Sequence, residues 1–161
     1  MLDTTNKLMI WQQNVNKLPS SQHNLISSSH LANMGVGLIA LQEPAINPFG
    51  FTIATRDWTA IYPSPHGATP NRLRAIMLIC LNISTDTWMQ LEFPSSDVTI
   101  VQIKGSWGKI TIFNIYNNCD NNDTIKLLSR YYNRNRTSLE QMQVGTVNVL
   151  WLGDFNRHHP L

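Results

Sequence analysis

Asp154 and Asn156 stand two residues apart where a mostly apolar run, Val147 to Leu152, leads into Gly153-Asp154-Phe155-Asn156-Arg157-His158-His159-Pro160-Leu161. On a strand, positions i and i+2 leave the same face, so a carboxylate and an amide exit together at a C-terminal strand edge. Three other segments end alike. Asn14 and Asn16 follow the run from Leu8, Glu43 follows Gly37-Leu38-Ile39-Ala40-Leu41-Gln42, and Tyr116-Asn117 follow the strand that starts at Lys109. In layered α/β folds, sites form just outside strand C-termini. Ends that share one edge therefore converge.

The chemistry open to such a set is narrow. Glu43 helped by amide oxygens is a hard-oxygen ligand set, suited to one Mg²⁺ that keeps several waters. Asp154 could orient or deprotonate a water, while Asn156, Asn14 and Tyr116 steady charge on a phosphate oxygen. His158 and His159 are adjacent and on a strand would point opposite ways, which excludes a zinc set. The sequence contains no Gly-rich phosphate loop, no Gly-x-Ser-x-Gly and no Cys-His pair at a telling spacing. Metal-assisted hydrolysis of a phosphoester remains. Each residue also has a plainer reading. Glu43 would be a solvated strand-end acid, Tyr116 a half-buried tyrosine, and Asn14 and Asn16 strand-stoppers bonded to nearby backbone. Arg72 and Arg74, beside the Pro70-Asn71 turn, would be surface charges, and Arg130, Arg134 and Arg136 a solvated helix face. The ordered convergence of four motifs outweighs these readings.

The positioning elements can be read from periodicity. Leu8 to Val15 is a strand. Pro19-Ser20-Ser21 opens a helix with Leu25, Ile26, Leu31 and Met34 as an approximate apolar stripe, ended by Gly35 and Gly37. Val36 to Leu41 reads as a strand buried on both faces, which makes strand, helix, strand a crossover unit. Phe51 to Thr55, Thr59 to Tyr62, Leu73 to Leu81, Val98 to Ile103 and Lys109 to Ile115 read as strands separated by turns. Thr124 to Tyr132 is a second helix, Asn117 to Asn122 a loop, and Val147 to Leu152 a last buried strand. The expected fold class is α/β, two packed mixed β-sheets flanked by helices.

Composition sets the limits. A chain of 161 residues is about one domain. Hydrophobic residues make up 42%, mean hydropathy is −0.18, and no apolar run is long enough to span a bilayer. Met1 to Lys7 lacks the features of a signal peptide. Cys80 and Cys119 lie far apart and read as free thiols. Only 14% of residues are charged, against about 25% in an average domain, and a net charge of +2 does not by itself argue for nucleic acid.

Gln13-Asn14-Val15-Asn16, Leu41-Gln42-Glu43-Pro44, Asn114-Ile115-Tyr116-Asn117 and Gly153-Asp154-Phe155-Asn156-Arg157-His158-His159-Pro160-Leu161 resemble, in order, the motifs of the endonuclease/exonuclease/phosphatase superfamily. They look most like the endonuclease domain of non-LTR (LINE-type) retrotransposons. The resemblance implies a four-layer, DNase I-like α/β sandwich over residues 1–161. It matches Glu43 to the metal-binding glutamate, Asn14 to the first-strand Asn near metal and phosphate, and Asn16 to a position where relatives carry a metal-binding Asp. Tyr116 matches the tyrosine on the scissile phosphate, Asp154 the aspartate that handles the proton of water or leaving group, and Asn156 its orienting neighbour. Asn117 and Arg74 become candidate DNA contacts. Mg²⁺, or Mn²⁺ in its place, is the implied cofactor and DNA the partner. No membrane is implied; a reverse transcriptase is expected downstream and the location is nuclear. Where relatives read Tyr-x-Pro-Asn, this chain has Tyr116-Asn117-Asn118-Cys119. The family's later strands and Ser-Asp-His segment lie beyond Leu161, which implies a fold incomplete at its C-terminus, an open sheet edge and impaired activity. A phosphatase or phosphodiesterase of the same fold, and a catalytically dead fragment, are the alternatives.

Overall fold

Along β2 (Val36–Gln42), Leu38, Ala40 and Gln42 face one way and Ile39 and Leu41 the other, and every residue of the strand is buried. That double burial places β2 between two layers. The computed structural model describes residues 7–53, 55–140 and 146–156. Two four-stranded sheets stack face to face. The first has the order β1-β2-β4-β3, with β1 at Met9–Asn14, β3 at Trp58–Ile61 and β4 at Ala75–Cys80. The second runs β5-β6-β7-β8, with β5 at Trp88–Leu91, β6 at Val98–Gly105, β7 at Gly108–Tyr116 and β8 at Thr146–Asp154.

Alternation assigns the three apolar layers. Leu38, Ala40, Met77, Ile79, Val101, Ile103 and Ile112 fill the space between the sheets. The outer face of the first sheet, with Ile39, Leu41, Ile76 and Leu78, packs on Ile26 and Leu31 from helices α1 (Pro19–Ile26) and α2 (Ser29–Asn33). The outer face of the second, with Ile100, Phe113 and Ile115, packs on Leu128 and Leu139 of α3 (Asp123–Glu140). Helix, sheet, sheet, helix is the expected four-layer arrangement.

Each sheet contains one parallel pair. β1 pairs with β2 through the α1–α2 crossover, and β7 pairs with β8 through α3. Parallel strands end on the same side, and the register confirms it: Asn14 lies beside Gln42, and Tyr116 beside Asp154. The antiparallel neighbours run the other way, so β4 and β6 begin where the parallel strands end.

The two sheets are also joined by polar groups. Gln42 and Asn114, both fully buried, hydrogen-bond across the interface. Asn114 Nδ2 donates to Leu41 O at 2.9 Å and to Ile76 O at 2.7 Å. Gln42 Oε1 accepts from Gln12.

Several local expectations change. The helix predicted from Pro19 towards Met34 is two helices: Ser27 N–H folds back to His23 O, and Ser28 Oγ accepts from His30 N–H to start the second. Met34 is exposed rather than part of a core stripe. Among the described residues of Phe51 to Thr55 none lies in a strand; Thr52 and Thr55 make isolated bridges, because the segment closes a loop instead of joining the sheet. β5 was not anticipated, and α3 runs well past Tyr132.

Gly153 has φ +143°, and a Cβ there would lie 1.9 Å from the Ile115 carbonyl oxygen on β7. Gly153→Ala should therefore cost about 2–4 kcal/mol, read as a lower urea midpoint. Gly67→Ala, where nothing lies within 4 Å, is the control expected to stay near wild type. Asn114→Ala strips a donor from two buried carbonyls and a partner from Gln42, and should cost a similar amount, about 2–4 kcal/mol; equal midpoints would refute both expectations.

Candidate active site at the shared strand edge

The inward column of each strand turns polar as it reaches this edge: Ile10 gives way to Gln12 and Asn14, Ala40 to Gln42, Ile112 to Asn114 and Tyr116, Leu152 to Asp154. Polar side chains are thereby collected at the rim of an apolar core.

Asn14 is the join. Its Oδ1 accepts the Asn16 backbone N–H at 2.8 Å, which fixes the amide's orientation. Its Nδ2 then faces two carboxylates, donating to Asp154 Oδ2 at 2.9 Å and, more weakly, to Glu43 Oε2 at 3.4 Å. Asp154 Oδ1 accepts the Asn156 N–H at 3.0 Å, the same side-chain turn two residues on. Asn14 and Asp154 each stop a strand and serve the site with their remaining polar atom. Residues 14 and 154 sit on different sheets, so this bond also closes the sandwich at its rim.

The backbone is strained at the same place. Among the described residues, the non-glycine positive φ angles are Asn16 (50°), Lys17 (57°), Glu43 (47°) and Asn156 (43°). All belong to these strand ends, a clustering typical of functional sites. Glu43 is held by its N–H to Arg74 O at 2.8 Å and by its carbonyl, which accepts Lys17 N–H at 2.7 Å. Its side chain is 19% exposed, and Lys17 Nζ approaches Oε1 at 4.0 Å.

Tyr116 lies under Arg74, whose guanidinium carbon is 5.0 Å from the ring centroid. Burial, and then the negative charge of Glu43, push the phenol's pKa up; Arg74 opposes and Asp154 adds to the rise. The hydroxyl therefore stays protonated at neutral pH and can donate a hydrogen bond. Arg74 is in turn 4.0 Å from Asp97 Oδ1, while Asp97 Oδ2 accepts from Thr124 Oγ1 at 3.2 Å and Asp97 O accepts Tyr116 N–H at 2.8 Å.

Glu43, Asn14, Asp154, Tyr116 and Arg74 thus share one edge. The other candidates stand differently. Asn16 is exposed and contributes its backbone N–H. Asn117 is fully buried behind Tyr116; its Nδ2 donates to Phe155 O at 2.9 Å, its O accepts Asn156 Nδ2 at 2.8 Å, and its Oδ1 has no partner among the described residues. Asn117 and Asn156 tie the turn after β8 to the end of β7. Arg157 to Leu161 lie outside the described residues. Asp97 was not singled out from the sequence; its only signal is that it precedes β6, which starts at this edge.

Among the described residues no group of three His, Cys, Asp or Glu side chains stands together. A cation at Glu43 would rest on few protein ligands and keep most of its waters, the habit of Mg²⁺ rather than Zn²⁺. Asn14 meets the two carboxylates through its Nδ2 donor.

Burial raises the Asp97 pKa more than Arg74 and Thr124 lower it. A carboxyl whose folded pKa lies above its unfolded value loses stability as pH rises through that folded value. Asp97→Asn removes this titration. Relative to wild type, its melting temperature should improve on going from about pH 4 to about pH 7; a constant difference across a pH series would refute it.

No model of a known protein family matches the sequence, and no curated protein sequence does. Solved structures do match in fold. One is described as "Endonuclease domain of TRAS1, a telomere-specific non-LTR retrotransposon", with 15% identity, TM-score 0.68, and 95% of this chain against 61% of that one aligned. Another is a D. rerio TDP2 humanized by 14 mutations, with 15% identity, TM-score 0.59, and 94% of this chain against 63% of that one. The chain therefore spans less than two thirds of either structure. The likeness is one of fold: the chain has the DNase I-like α/β fold of these structures.

Proposed function

We propose that this chain is a Mg²⁺-assisted phosphodiester hydrolase that nicks DNA, the endonuclease module of a non-LTR retrotransposon. The observation that carries the reading is the Asn14 amide set between Asp154 and Glu43, with Tyr116 and Arg74 beside them on the same edge. The likeness in fold to a retrotransposon endonuclease domain supports it.

In hydrolysis that leaves a 3′-hydroxyl, a water oxygen bonds to phosphorus, the P–O3′ bond breaks, and O3′ takes up a proton. Bound Mg²⁺ would supply Lewis-acid stabilisation of the charge that builds on the phosphate. Glu43 would be the anionic residue that holds it. Asp154, with one oxygen fixed by Asn156 N–H and the other by Asn14, is placed to exchange a proton with water or leaving group. The Tyr116 hydroxyl and the Arg74 guanidinium stabilise the phosphate's non-bridging oxygens. A DNA substrate implies a nuclear site of action and, in an intact element, a reverse transcriptase that extends the new 3′ end. No helix among the described residues is long and apolar enough to cross a membrane.

The test is relaxation of supercoiled plasmid in Mg²⁺, with an EDTA lane. Glu43→Gln and Asp154→Asn should each slow nicking by at least about 10²–10³-fold, and Tyr116→Phe by about 10²-fold. Turnover of a small phosphodiester without nicking would move the assignment to a phosphodiesterase of the same fold. Nicking that survives all three substitutions would end the proposal.

A further inference from the structure

The active-site edge continues into a groove. A cavity of about 470 Å³ beside Arg74 is lined in part by Lys17, Asn71 and Arg72. A second, of about 600 Å³, shares Lys17 and Asn71 with it and reaches Pro48. Phe49 comes next, 79% exposed, the most exposed large hydrophobic side chain among the described residues.

The loop that presents Phe49 is built to stay put. Ile46 bridges to Thr52, and Asn47 N–H donates to Phe51 O at 2.8 Å. Asn47 Oδ1 accepts from Phe49 N–H at 2.9 Å and Phe51 N–H at 3.0 Å. Gly50, at φ +84°, lies against Pro70, and its carbonyl meets His66 Nε2 at 2.8 Å. Gln22, fully buried, anchors the base of the loop through Ala45 N–H and Thr52 Oγ1. Phe51 rests edge-on against Tyr62 and His66, whereas Phe49 is held out in water.

Charge identifies the occupant. Lys17, Arg72 and Arg74 line the first cavity; Asp97 faces Arg74 and Glu43 faces Lys17, each at 4.0 Å, so the cations outnumber the acids beside them. A groove with its cations at the phosphoryl-transfer end and an exposed aromatic ring following Pro48 at its far end fits a nucleic acid strand: phosphates on the cations, a base on the ring. An apolar protein segment would bring no negative charge to these cations.

We propose that this groove carries one DNA strand away from the scissile phosphate, with Arg72 and Lys17 on a backbone phosphate and Phe49 stacked on an unpaired base. The proposal rests on the nuclease reading above. It is tested by fluorescence anisotropy of the whole chain with a short fluorescein-labelled single-stranded DNA in EDTA, so that nothing is cut. Phe49→Ala and Phe49→Leu should each weaken binding about tenfold, while Phe49→Trp stays within about twofold of wild type. Arg72→Ala should flatten the salt dependence by about one phosphate contact. Phe49 and Arg72 are exposed, and unchanged melting curves would exclude a folding defect. Wild-type binding that Phe49→Ala, or Phe49→Leu alone, leaves intact would overturn the stacking role and spare the nuclease reading. No binding by wild type would overturn the groove, and plasmid nicking, read separately, would still decide the nuclease reading. Intact binding with no nicking would support the groove and count against the catalytic assignment.

Discussion

A buried amide pair, Gln42 with Asn114, holds the two sheets in one relative position. Apolar side chains between sheets fill space at little cost to sliding, since the hydrophobic effect is non-directional. Amides sealed from water are different: each polar atom left without a partner costs about 1–3 kcal/mol. Gln42 and Asn114 satisfy one another only at one offset of the sheets, and Asn114 reaches on to the carbonyls of Leu41 and Ile76 on adjacent strands. Glu43 is the residue after Gln42, and Tyr116 lies two residues after Asn114 on the same face. Fixing the amides therefore fixes the distance between the carboxylate and the phenol.

Beyond that lock, the rim bond from Asn14 to Asp154 extends the same economy outwards. One amide stops a strand with its oxygen and spaces two carboxylates with its nitrogen. Carboxylates that close repel, and an NH₂ group between them relieves the repulsion without adding net charge. The left-handed residues Asn16, Lys17, Glu43 and Asn156 show that the chain accepts backbone strain to hold these positions. Gly153 answers the same crowding with the absence of a side chain, because β8 runs too close to Ile115 O for any Cβ. Its place in the Gly-Asp motif is thus steric.

Along the opposite half of the edge, antiparallel strands enter the site from their beginnings. Arg74 precedes β4 and Asp97 precedes β6, and together they bracket Tyr116 through its ring, its backbone N–H and, by Thr124, the first turn of α3. The guanidinium is thereby shared between a phenol it can bond and a carboxylate that orients it.

What the sequence determined by itself was whatever follows from local periodicity. Strands of alternating or continuous apolar residues, the first crossover, and polar residues at strand ends were all legible, because side-chain period and turn chemistry are properties of neighbouring residues. So were Glu43, Asn14, Tyr116 and Asp154 as a group, since parallel strands must end on one side. Tertiary structure decided the rest. Asp97 was invisible because a residue before a strand joins the site only if that strand is antiparallel and adjacent, a fact of sheet order. That Asn117 Nδ2 and Asn156 Nδ2 tie the turn after β8 to the end of β7 was also decided in three dimensions, because the carbonyls they reach, Phe155 O and Asn117 O, are brought near only by the fold. The break between α1 and α2, and the loop in place of a strand at Phe51 to Thr55, went the same way: hydrogen bonds from Ser28, Gln22 and Asn47 outweighed propensity, and those partners are chosen by the fold.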